Sequence, residues 1–161
     1  MEKTPGIASF SPVAKLQHLD RISAASGDEN AIIEGMARIL IVDDDFEIVS
    51  LLDEILTKDG HQVDSAFEAV EGMEKARSLK PDLVILDFHM PGANGAHLFE
   101  SMRRNQSGAP TPVLFISGEA SPEDILNQIA DPEHSRFLPK PLKLEEFRAA
   151  VKELLDPHHK K

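Results

Sequence analysis

The sequence predicts an α/β fold, a doubly wound parallel sheet of five strands with helices on both faces, and two observations carry that prediction. From Arg38 onward, short β-rich apolar runs alternate with longer segments of helical period, five of each, which is the pattern of successive βαβ units. Three of the five runs, at 39–42, 83–86 and 113–116, are apolar at every position, as strands buried on both faces are.

The elements follow in order. The first strand, 39–42, leads to a helix at 46–58 that places Ile48, Leu51, Leu52 and Ile55 on one face. Gly60 suits the left-handed position just past the end of that helix, after Lys58. A second strand at 62–66 is followed by a helix at 67–79, which Pro81 stops. The third strand, 83–86, runs into Asp87 and breaks at Pro91-Gly92, an ordinary turn pair, before a helix at 94–105. After the fourth strand, 113–116, Ser121-Pro122-Glu123-Asp124 reads as N-cap, first-turn proline and acidic first turn of a helix at 121–130. A fifth strand at 136–138 and a helix at 143–155 complete the series. The folded domain is expected at 38–156. Residues 1–37 carry scattered Gly, Ser and Pro without strand pattern, and form an extension that is partly disordered or holds one short helix with Leu16, Leu19 and Ile22 on its apolar stripe. Residues 157–161, with His158-His159, read as a solvated tail.

Composition narrows the function classes. A chain of 161 residues with 41% hydrophobic content accommodates one domain with a full core. No apolar run approaches the roughly 18 residues that a membrane span requires, and no N-terminal leader pattern is visible. Without cysteine there are no disulfides and no thiolate metal sites, so a cytoplasmic location is expected. A formal net charge of -11 disfavours direct nucleic-acid binding, which relies on a basic face, and favours a metal cation or a basic protein partner.

In an open parallel sheet the C-terminal strand ends share one edge, where ligands bind. The residues just past those ends are Asp43-Asp44-Asp45, Asp87, Ser117 and Lys140-Pro141. Two carboxylates about 4 Å apart repel by about 4 kcal/mol at an effective dielectric of 20, so converging acids need a cation or must hold protons. Oxygen ligands alone point to a hard ion that keeps several waters, Mg2+ or Mn2+, and such an ion commonly completes its shell with phosphate oxygens. A lysine on the same rim also favours a phosphoryl group, which makes Asp87 the candidate nucleophile. Asp45, by contrast, reads as a helix-start residue.

With these residues in place, "ILIVDDD", "PDLVILDFHMPGANG", "PVLFISGEAS" and "FLPKPL", in this order and spacing, make about 38–156 resemble the receiver domain of two-component response regulators. The resemblance implies a flavodoxin-like strand order, 2-1-3-4-5. It implies Asp87 as phosphoacceptor, and Asp43, Asp44, Asp87 and the His89 backbone carbonyl as metal ligands. Ser117 matches the switch hydroxyl, Lys140 the lysine that pairs with phosphoryl oxygens, and Phe137 the aromatic switch position. Phe137 lacks the hydroxyl of the tyrosine often found there, so its inward form can only pack. His89 and Glu119 fall at variable positions that tune phosphoryl lifetime, and the Lys140–Pro141 peptide is expected to be cis.

The expected function is that of a phosphoacceptor receiver, not an enzyme beyond self-phosphorylation and slow autodephosphorylation. Its partners would be a histidine kinase or histidine phosphotransfer protein upstream, and downstream a protein that reads the face formed by the fourth helix, fifth strand and fifth helix. It would act as a monomer or a phosphorylation-dependent dimer, and no effector module is expected after Leu155. Three alternatives stay open: the C-terminal receiver of a hybrid histidine kinase, a phosphate-independent binding module, and an aspartyl-phosphate phosphohydrolase. The last needs a second Asp two residues past the nucleophile, where this sequence has His89.

Overall fold

The computed structural model of the chain describes residues 35–119, 121–129 and 131–156. The expected helix around Leu16, Leu19 and Ile22 and the His158-His159 tail lie outside them. Five parallel strands, β1 (Arg38–Val42), β2 (Gln62–Ala66), β3 (Leu83–Asp87), β6 (Val113–Ser117) and β7 (Ser135–Pro139), form one sheet in the order β2-β1-β3-β6-β7. Counted within that sheet, the order is the expected 2-1-3-4-5. A second, two-stranded sheet pairs β4 (His89–Met90) with β5 (Ala93–Asn94) in antiparallel register. The helices are α1 (Phe46–Lys58), α2 (Ala69–Leu79), α3 (Gly95–Asn105), α4 (Pro122–Gln128) and α5 (Leu144–Leu155).

The unbroken apolar runs are explained by two cores. Successive side chains of a strand point to opposite faces, so Leu40, Val42, Val84, Leu86 and Phe115 pack with residues of α2, α3 and α4. Ile39, Ile41, Leu83, Ile85, Leu114 and Ile116 pack on the other face with Val49, Leu52 and Leu56 of α1 and Phe147, Val151 and Leu154 of α5. Each such side chain, fully withdrawn from water, contributes about 1.5–3 kcal/mol.

Capping sets several boundaries. Asp45 caps α1, its carboxylate accepting from the backbone N–H groups of Glu47 (3.0 Å) and Ile48 (3.4 Å). At the other end, Gly60 has φ +96°, its N–H donates to Thr57 O (3.1 Å), and the His61 N–H donates to Leu56 O (3.0 Å). This is the paired closing motif that requires a left-handed residue. Ser121 caps α4 through Asp124 N–H, with Pro122 in the first turn.

Three expectations shift. Leu51 is 51% exposed, because the buried stripe of α1 centres on Val49, Leu52 and Leu56, and a residue next to Leu52 sits about 100° around the helix. The second helix starts at Ala69, with extended Glu68 before it, and not at 67. The fourth helix ends at Gln128 and not at 130; Ile129 is already extended, three residues before Pro132.

Candidate functional site

Parallel strands bring the tips of β1, β3, β6 and β7 to one edge, and the register places their terminal residues side by side. Asp43 continues β1 by donating its N–H to Ala66 O (3.1 Å) and is fully buried. Asp87 closes β3 opposite Ile116 and is 4% exposed. Ser117 closes β6 opposite Pro139 and is also buried. Lys140 follows β7; its backbone N–H donates to Ser117 O (2.8 Å), which carries its side chain over the acids. The Lys140–Pro141 peptide is cis.

The side chains converge. Carboxylate oxygens of Asp43, Asp44 and Asp87 lie within 4.8 Å of one another. The Lys140 ammonium donates to Asp43 Oδ2 (3.0 Å) and Asp87 Oδ2 (3.4 Å). Burial, and then the charge of Asp43, push the Asp87 carboxyl up to about 6, against the opposing pull of the His89 N–H and Lys140. Lys140 is held above its usual value: burial acts to lower it, and the hydrogen bond to Asp43 with the charges of Asp87 and Asp43 more than reverses that. At 4.8 Å two carboxylates repel by about 3.5 kcal/mol at an effective dielectric near 20, so one lysine does not neutralise the set. An all-oxygen cluster with one exposed member, Asp44, suits a hard, partly hydrated divalent ion such as Mg2+.

Around this centre the other expected residues take different places. The His89 N–H donates to Asp87 Oδ1 (3.1 Å), and its ring Nδ1 pairs with Ser117 Oγ at 3.1 Å. Glu119 is exposed, and its backbone N–H donates to Ser117 Oγ (3.3 Å). Phe137 stands in the middle of β7 opposite Phe115, half-buried against the α2, α3 and α4 side of the sheet. Asp44, Asp87, His89, Asn94, Ser117 and Lys140 line one open cleft.

Two supports escaped sequence reasoning. Gly95 donates its N–H to Phe88 O (3.0 Å), and a Cβ there would meet Asp87 O at 2.7 Å and Phe88 Cα at 2.9 Å, so only glycine lets α3 start directly against the Asp87–Phe88 backbone. The β4–β5 ladder pairs His89 with Asn94, and Asn94 caps α3 through Ala96 N–H (2.8 Å). The "PGANG" stretch contains both residues, but the close approach is a tertiary fact with no signature beyond a glycine near a turn.

The response regulator receiver domain model matches residues 39–152. The chain is 35% identical over 120 residues to the DNA-binding dual master transcriptional regulator RpaA of Synechocystis sp., a match covering 74% of this chain and 49% of that protein. It is 32% identical over 120 residues to the response regulator ArlR of Staphylococcus haemolyticus, covering 74% and 53%. It thus spans about half the length of these curated relatives. Among solved structures, it resembles the chemotaxis response regulator CheY4 of Vibrio cholerae with a TM-score of 0.68 and 28% identity, covering 74% of this chain and 99% of that one. A CheY-like receiver domain of Methanospirillum hungatei gives 0.66 and 31%, covering 75% and 94%. Strand order, acidic edge, lysine and family match agree, and the chain belongs to the response regulator receiver domain family.

Proposed function

We propose that this receiver accepts a phosphoryl group on Asp87, with Asp43, Asp44 and the His89 backbone carbonyl completing the protein's share of a Mg2+ site, and signals through partner proteins. The observation that carries this reading is the contact of one half-buried lysine with two of three carboxylates that lie within 4.8 Å of one another at a sheet edge. A carboxyl held at about 6 is ionised at neutral pH and is available as a nucleophile. An Asp87 oxygen attacks phosphorus in line, the bond from phosphorus to the donor's histidine nitrogen breaks, and its electron pair stays on that nitrogen. Lys140, 21% exposed and already beside Asp87, meets the charge on the phosphoryl oxygens. Mg2+, when bound, supplies further neutralisation of that charge. Ser117 turns its hydroxyl toward the new anion, Phe137 packs inward behind it, and Glu119 at the cleft mouth influences how long the phosphoryl group persists.

Receiver domains receive phosphoryl groups from histidine kinases; here the donor is proposed to be such a kinase or a histidine phosphotransfer protein. The reader of the phosphorylated state is placed at the α4, β7 and α5 face. The working unit is 38–156, with 1–37 an extension and 157–161 a tail. Relatives twice as long keep a second context open, in which the same receiver works within a larger protein such as a hybrid histidine kinase. Among the described residues no helix is long and apolar enough to cross a membrane.

The test is intact-mass analysis after incubation with acetyl phosphate, with and without Mg2+. One added phosphate that requires Mg2+, is labile to hydroxylamine and is absent from Asp87→Asn supports the reading. Failure to label under conditions that label a known receiver, together with no binding of beryllofluoride and Mg2+, overturns it in favour of a phosphate-independent module.

A further inference from the structure

We propose that His89 is a positioning residue whose imidazole holds the Ser117 hydroxyl in the unphosphorylated arrangement, so that this hydrogen bond must be given up before Ser117 can bind a phosphoryl group. The inference rests on the phosphoacceptor reading and adds to it the direction in which His89 acts.

The backbone of His89 is held at two points and its ring packs on one neighbour. The His89 backbone is paired with Asn94 in the β4–β5 ladder, and its N–H is bound to Asp87 Oδ1 at 3.1 Å. The imidazole meets the edge of Phe88, which is 2% exposed, with ring centroids 5.1 Å apart and planes at 73°. From that fixed base Nδ1 reaches Ser117 Oγ at 3.1 Å. Ser117 is 1% exposed, and its oxygen also accepts the Glu119 N–H at 3.3 Å. A serine hydroxyl has one proton. In the proposed arrangement that proton is donated to Nδ1, and the ring proton sits on Nε2. A phosphoryl oxygen is an acceptor and needs the same proton. His89 and the phosphoryl group therefore compete for Ser117, and His89 favours the inactive arrangement.

The experiment measures the affinity for beryllofluoride in saturating Mg2+. His89→Phe keeps a ring against Phe88 and leaves the backbone N–H and carbonyl in place, but removes Nδ1. Loss of a competing neutral hydrogen bond is expected to tighten beryllofluoride binding by roughly 3–10-fold. His89→Ala, a second variant at this exposed position, is expected to act in the same direction. His89→Asn, whose side-chain oxygen can accept the Ser117 proton, returns the affinity toward wild type. On a Ser117→Ala background, His89→Phe has no effect, which separates competition for the hydroxyl from a packing role. In wild type the 15N signals of the imidazole report the Nε2–H form, and they change on beryllofluoride binding. Absence of beryllofluoride binding by wild type overturns the phosphoacceptor reading and the inference with it. Binding by wild type, with His89→Phe and His89→Ala unchanged or weaker, or with the same effect in Ser117→Ala, overturns the inference alone.

Discussion

At the scale of single residues, Asp87 as the proposed phosphoacceptor faces two opposed demands, since a nucleophile must be ionised while burial and Asp43 resist ionisation. Its carboxyl sits at about 6 against an ordinary 3.8, so between those values the folded protein binds more protons than the unfolded chain. Stability contributed by the protonated form is therefore lost as pH rises through that window. Asp87→Asn, which cannot ionise, is expected to stabilise the metal-free protein by on the order of 1 kcal/mol above pH 6 and by less near pH 4, measured by urea unfolding at both pH values. The same shift makes protons compete with Mg2+. Titration with the ion is expected to show affinity falling as pH drops below about 6, and a Mg2+ affinity independent of pH between 5 and 7.5 would contradict the assignment. Lys140→Met removes the cation beside Asp43 and Asp87 and is expected to slow labelling by acetyl phosphate at least tenfold while leaving secondary structure unchanged in circular dichroism.

At the scale of elements, two glycines at the ends of helices separate stability from site geometry. Gly60 closes α1 at φ +96° with open space around it, so Gly60→Ala costs only the strain of a left-handed residue, about 1 kcal/mol, and leaves labelling intact. Gly95 meets backbone, not open space. Gly95→Ala drives a methyl group into the Asp87 carbonyl and is expected to cost about 1–3 kcal/mol and also to impair labelling, because relief requires α3 or the tip of β3 to move. Unfolding curves and mass labelling on the two variants read that contrast. The boundaries of α1 and α4 follow from local chemistry, an aspartate and a serine at their caps. The C-cap of α4, Ile129, falls three residues before Pro132, and the outward turn of Leu51 follows from the stripe of α1 that packs on the sheet.

At the scale of the whole molecule, the residues of the acidic edge are continuous with the strands of the sheet. Ser117 and Lys140 are joined through their backbones, Ser117 at the end of β6 and Lys140 just past the end of the neighbouring β7. Arg103 of α3 donates to Asp131 Oδ2 (3.1 Å) in the segment between α4 and β7 and to Thr111 O (2.7 Å) just before β6, and lies 4.4 Å over the ring of Phe99 in its own helix. For Asp131 burial works to raise the carboxyl, yet the His134 hydrogen bond and the Arg103 charge hold it below its ordinary value. This pair therefore stabilises the fold above the unfolded carboxylate range, and its contribution is lost as pH falls through the lower folded value. Arg103→Met is expected to destabilise by about 1–3 kcal/mol at pH 7 and by less at pH 3, read by thermal unfolding. In the proposed function, beryllofluoride with Mg2+ shifts amide NMR signals of α4, β7 and α5 more than those of α2; equal shifts throughout would oppose an output face there.

The sequence by itself determined the alternation of elements, the burial of the three central strands, the caps at Asp45 and Ser121, and the set of residues that stand at the strand tips. These are local properties, written in period, turn chemistry and position relative to a strand end. It also made Asp43, Asp44, Asp87 and Lys140 a set, because a parallel sheet has only one C-terminal edge. Only the tertiary structure decided how that set is wired. It showed Lys140 bridging Asp43 and Asp87, His89 reaching Ser117 across 28 positions of sequence, and Gly95 packed against the backbone of Asp87. Such contacts depend on register, on side-chain direction and on tenths of an ångström between elements, and residue type and spacing do not encode those separately.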